Sequence, residues 1–246
     1  MNLTIMTDYS PAFKQFISRC SEKCSGNITE EDFYIGRGNP MSPILFVGQE
    51  PSGNDGDSCL SSWTQRVAGT FDGISLKNVL PAQHMWRNYQ RLYESIRYGT
   101  YNPHPENIDF ETLIFTTEMS GLVNRQNVEA RKMVGHAEQL QWRKDNLFTD
   151  EFFKSFNVIV LACGNYLRND GYNGDWEINR IFDVTYDANG KHHYSVSNNF
   201  YCHHSADGSR LVIHTRNLSS GVSKQMLLDM GKVIREHLDD IGIAEF

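Results

Sequence analysis

The chain has 246 residues, of which 39% are hydrophobic and 12% aromatic, and a formal net charge of −7. That content supports a folded core and excludes a disordered chain, and the negative balance argues against a protein that coats nucleic acid non-specifically. No apolar run approaches the ~20 residues needed to span a bilayer and no basic-then-apolar leader opens the chain, so a cytoplasmic location is expected. Five cysteines without framework spacing fit a reducing compartment.

From the amino end, SPAFKQFISRCSEKC reads as a helix: Ser10 can cap it, Pro11 suits its first turn, and Phe13, Phe16, Ile17 and Cys20 share a face. A turn-rich IGRGNPMSP leads into the strand ILFVG, and HMWRNYQRLYESIR follows as an amphipathic helix with Trp86, Tyr89, Tyr93 and Ile96 turned to a core. TLIFTT reads as a second buried strand, VEARKMVGHAEQLQWRK as helical, and NVIVLACG as a third strand covered on both faces. FDVTYDANGKHHYSV predicts a hairpin turning at Asn189–Gly190, RLVIHT a fourth buried strand, and Ser220 to Leu238 a closing helix.

Four buried strands separated by helical stretches imply an α/β fold: a three-layer α/β/α arrangement around a mostly parallel four-stranded sheet. One domain over residues 1–246 is expected, with residues 1–34 a helical segment packed on it. Ligands of such sheets bind beyond the carboxyl ends of the strands, which singles out the exits GQEPSGND, TEMSGLVN, GNYLRN and HTRNLSSG. At the first, Gly48 permits close backbone approach, Pro51 stiffens the turn, and Glu50 lies between them. At the fourth, His214 precedes Arg216 and a helix start whose unpaired N–H groups suit an anion. Arg125, Arg131, Lys132, Arg143, Lys144, Arg210, Arg216 and Lys224 could form a local phosphate-binding patch; a scattered solvated surface is the equal alternative.

The run GRGNPMSPILFVGQEPSG resembles the first motif of the uracil-DNA glycosylase superfamily, whose iron–sulfur subgroup has GxGNP before a strand ending in GEAPG and whose classical enzymes end that strand in GQDPYH. HTRNLS matches their second motif, HPSPLS, at His214, Leu218 and Ser219. TLIFTTEMS and VIVLACGNYL are similar to the two strands between those motifs. The likeness runs from Ile35 to Leu238, and only its first and last motifs are specific.

The resemblance implies a DNA glycosylase that removes a damaged or modified base in base-excision repair, acting as a monomer on DNA without metal or organic cofactor and without a membrane. It implies that Glu50 orients the attacking water and stabilises positive charge on the sugar. His214 would donate a hydrogen bond to the departing base, and the Gln49 backbone would help hold that base. Trp63 falls near an aromatic that stacks on it, Leu218 matches the wedge that fills the emptied duplex position, and Ser219 would touch phosphate.

Departures from the family pattern bear on the substrate. Thr215 and Asn217 replace two prolines, and Ser52 stands where a tyrosine blocks the 5-methyl of thymine. Glu118 falls within one residue of the asparagine that reads uracil. A carboxylate only accepts hydrogen bonds, so a base presenting N–H donors is favoured over plain uracil. Cys20, Cys24, Cys59, Cys163 and Cys202 are read as buried thiols, not cluster ligands. The pairs His192–His193 and His203–His204 can each aim only one ring at a metal from a strand. Rival readings are a non-catalytic base-binding protein using the same pocket, and a hydrolase of free nucleosides, which the acidic net charge suits.

Overall fold

The computed structural model describes residues 15–16, 19, 36–50, 74–75, 84–105, 107–121, 132, 134–168 and 177–243. Its strands are β1 (Arg37–Gly38), β2 (Ile44–Gly48), β3 (Ile74–Ser75), β4 (Asn107–Ile108), β5 (Phe115–Glu118), β6 (Val158–Leu161), β7 (Thr185–Ser195), β8 (Asn198–His204) and β9 (Leu211–Thr215). Its α-helices are α1 (His84–Tyr98), α2 (His136–Trp142), α3 (Glu151–Lys154), α4 (Glu177–Phe182) and α5 (Lys224–Asp240), with a π-helical turn, Arg143–Leu147, after α2.

The main sheet runs β1-β5-β2-β6-β9-β8-β7, and β3 pairs with β4 apart from it. The four expected strands are its centre, and all of their mutual pairings are parallel. The sheet is nevertheless seven-stranded and mixed, not four-stranded: β1 closes one side antiparallel to β5, and β8 and β7 extend the other antiparallel to β9.

Every residue of β2, β5, β6 and β9 is buried, and the two-residue period of a strand divides them between two cores. Leu45, Val47, Phe115, Ile159, Leu161 and Val212 meet a phenylalanine-rich layer that includes Phe148, Phe152 and Phe153. Ile44, Phe46, Val158, Val160, Leu211 and Ile213 meet Tyr89, Leu92 and Ile96 of α1 and Met226, Met230 and Ile234 of α5. Burial on both faces is why these strands appear as unbroken apolar runs in the sequence. Phe16, placed in a helix by the sequence, is helical and stacks on Phe152 at 4.9 Å, while Arg19 pairs with Asp150, the residue that caps α3.

The hairpin differs from expectation. β7 continues through Asn189–Gly190, and the chain reverses instead between Ser195 and Asn198. The register shifts between Tyr186 and Lys191, so Asn189–Gly190 lies in a bulge. Asp187 accepts from the Asn189 N–H at 2.8 Å, a local turn within the strand. Gly190 is buried there, and a Cβ on it would fall 2.9 Å from the Cys202 carbonyl oxygen. The Asn-Gly signal marks a close backbone approach, not a reversal.

Cys163 and Cys202 are buried free thiols; Cys20, Cys24 and Cys59 lie outside the described residues. Among the described residues no helix is long and apolar enough to cross a membrane.

Candidate active site

Strand register brings the exits level. Gly48 pairs with Glu118, Val47 with Leu161, and Leu161 with His214. With about 4.8 Å between strands, His214 lies two strands, roughly 10 Å, from β2. The turn that follows β6, Cys163–Tyr166, fills the space between them.

That turn makes hydrogen bonds to both sides. The Gln49 side-chain amide donates to the Cys163 carbonyl at 3.0 Å, and the Tyr166 hydroxyl donates to the Glu50 carboxylate. His214 Nε2 lies 2.9 Å from the Gly164 carbonyl oxygen. A carbonyl only accepts, so Nε2 carries the ring proton. Asn217 closes the circuit by donating to Gln49 Oε1 at 2.7 Å. Residues from the first, third and fourth exits thus share one polar network. Its members are sheltered: Glu50 and His214 are each 6% exposed.

Glu118 brings the second exit to the same rim. It is 7% exposed, and its carboxylate lies against Gly48: a Cβ there would fall 2.0 Å from Glu118 Oε2. Any side chain at 48 would displace that head group. Arg143, fully buried in the π-helical turn, donates to the Glu118 carbonyl at 2.8 Å and to Thr117 Oγ1 at 3.3 Å. Gln139 of α2 accepts from the Ser120 hydroxyl and the Gly121 N–H, fixing the chain just beyond Glu118.

Burial makes His214 a neutral donor. Desolvation pulls its pKa down to about 4, against a smaller upward pull from the Gly164 bond. Nδ1 has no hydrogen-bond partner among the described residues. Tyr201 stacks beside the ring at 6.4 Å. Behind it His203, bonded to Asn179, is likewise held neutral, its pKa lowered by burial to about 3.

Of the residues singled out by sequence, Gly48, Gln49, Glu50, Glu118 and His214 assemble at this rim. Arg216 braces its own loop, donating to the carbonyls of Asn217 and Ser197. Ser219 is partly exposed beside it, and its carbonyl accepts from Asn88. Leu218 does not project as a wedge here: it is fully buried in the core that holds α1 and α5, and Asn88 fixes its carbonyl at 2.6 Å. Ser52 and Trp63 lie outside the described residues, as do Arg125 and Arg131.

Among the described residues, three of the basic residues weighed for a local patch are engaged internally. Arg143 is internal, Lys144 is tied to Glu177 at 2.9 Å, and Arg210 donates to the Phe182 carbonyl. Lys132 and Lys224 are exposed.

Sequence reasoning missed Tyr166, Asn217, Gln139 and the internal role of Arg143. Tyr166 and Asn217 stand in exits already marked as functional, and a tyrosine two residues past Gly164 is a legible hydroxyl donor. Nothing in the local sequence marks Arg143 as internal.

A buried carboxylate, a second carboxylate and a neutral imidazole on one rim can steady a cationic centre and donate to a departing anion. Among the described residues no group of three or more His, Cys, Asp and Glu side chains could hold a metal ion. No protein-family model matches the chain, and no curated protein matches it significantly.

Proposed function

We propose that the protein hydrolyses an N-glycosidic bond, releasing an aberrant base from DNA. The observation that carries this reading is the shared turn: Glu50 and His214, on strands separated by β6, both bond to residues 164–166. A cationic sugar needs an anion close by, and Glu50 supplies one, oriented by Tyr166. A departing base needs a donor that does not first lose its proton to water, and a neutral imidazole with hydrogen on Nε2 is such a donor. In that role His214 exchanges the Gly164 carbonyl for the base oxygen. Glu118, able only to accept, favours a base that presents N–H groups.

The test is a panel of oligonucleotides carrying different base lesions, scored for abasic sites. Wild type should act on at least one lesion, and Glu50→Gln should slow release by roughly 100-fold or more while sparing affinity. Glu118→Asn should shift preference toward plain uracil. Absence of abasic sites across the panel would sink the proposal.

One observation favours a second reading, a base-binding protein without turnover: the His214 N–H is already engaged by Gly164. On that reading Glu50→Gln changes nothing but leaves tight, lesion-selective binding.

A further inference from the structure

A cleft of about 190 Å³ lies between α1 and the following loop, lined by Arg87, Arg91, Pro103, His104 and Pro105. Two guanidinium groups and an imidazole border it, and no carboxylate does among the described residues. Arg87 and Arg91 are four apart on α1, so they sit on one face and repel across one turn. Arg91 is anchored, donating to the Pro103 carbonyl and to Asn88 Oδ1. Arg87 has no hydrogen-bond or ion-pair partner among the described residues.

Positive charge continues away from the cleft. The Arg91 guanidinium lies 5.9 Å from the centre of the Tyr101 ring, and Lys224 Nζ lies 6.0 Å from the same centre. Lys224 opens α5, directly after the loop that follows His214 and the end of β9. Asn88 joins the two regions physically: its oxygen accepts from Arg91 and its nitrogen donates to the carbonyls of Leu218 and Ser219. Cations thus border the loop of the candidate active site.

A second cleft, bordered by Lys144, Arg168, Glu177 and Arg180, differs in kind. There Lys144 pairs with Glu177, and Arg180 faces Asp145 at 3.4 Å. Two of its three cations thus face a carboxylate. The α1 cleft is not matched, although the chain as a whole carries −7.

We propose that Arg87, Arg91 and Lys224 form a backbone-phosphate track for DNA, with the α1 cleft seating one phosphodiester beside the His214 loop. Guanidinium pairs suit the paired oxygens of a phosphodiester, and the partly exposed Tyr101 lies beside them. This track rests on the reading that the substrate is DNA. It requires no particular base and no turnover.

The experiment follows binding of a fluorescently labelled, undamaged duplex across a salt series, for wild type, Arg87→Gln, Lys224→Gln and the double variant. Lys232→Gln, farther along α5 and exposed, is the control. Each substitution should weaken binding about threefold to tenfold and lower the slope of log K against log salt by about 1, and the control should do neither. Thermal unfolding confirms that the variants fold. Unchanged affinity and slope in the folded double variant overturn the proposal, as does a wild type that binds no duplex. Saturable binding of inorganic phosphate at the cleft without duplex binding overturns the assignment to a polymer backbone. Reduced slopes together with no base release from any lesion sustain the track while the glycosylase reading falls; base release with unchanged slopes does the reverse.

Discussion

Glu50 and His214 are held to the 163–166 turn by opposite halves of the hydrogen bond. Toward β2 the turn presents a hydroxyl, which donates to the Glu50 carboxylate; toward β9 it presents a carbonyl, which accepts from the His214 imidazole. An anion requires donors and a neutral Nε2–H requires an acceptor, so one short turn fixes the charge distribution of both flanks. The acid side is also braced from below, where buried Arg143 holds the end of β5. On the imidazole side no buried cation plays that role among the described residues, and burial keeps the ring neutral.

The largest effect should come from removing the brace. Arg143→Ala leaves a void and removes a donor from the Glu118 carbonyl, and should cost about 4 kcal/mol, read as a drop in the urea midpoint. A loss under about 1 kcal/mol would show that the two flanks are equally self-supporting. Leu218→Ala should cost about 3 kcal/mol, because a fully buried leucine is lost from the α1–α5 core. A variant of normal stability that loses only DNA affinity would restore the wedge role.

Acid should weaken the imidazole side. His214 has a folded pKa of about 4 against an ordinary 6.5, so the folded state takes up its proton later than the unfolded chain. Its contribution is fully present above about pH 6.5 and is lost as pH falls toward 4, about 3 kcal/mol in total. His203, lowered to about 3, adds loss of the same sign. Denaturation at pH 7 and pH 4.5 measures this, and His214→Gln should lose measurably less between the two. The smallest effect should be Tyr166→Phe, about 2 kcal/mol, from the carboxylate's lost donor. If Tyr166→Phe proves as stable as wild type, Glu50 takes its support from elsewhere.

The sequence made the central strands plain, because strands covered on both faces spell continuous apolar words such as ILFVG and VIVL. Their carboxyl ends therefore point to Glu50 and His214, while Gln49 and Glu118, which stand in the same exits, are singled out by the family resemblance. What escaped were features set by distant packing. Asn189–Gly190 carries the local signature of a hairpin turn, but the partner strand and Asp187 turn it into a bulge. Arg143 has a surface residue's charge, and only the fold supplies the Glu118 carbonyl and the Phe148 ring, 5.7 Å from its guanidinium, that make its burial tolerable. Leu218 occupies a motif position suggestive of a DNA probe, yet its burial depends on α1 and α5, far away in sequence.

Gly48 ties two positions together in space. Because the Glu118 head group occupies the volume a methyl at 48 would need, an alanine there is admissible only if residue 118 shortens or swings aside. A designer wishing to retune the rim should therefore treat positions 48 and 118 as one unit.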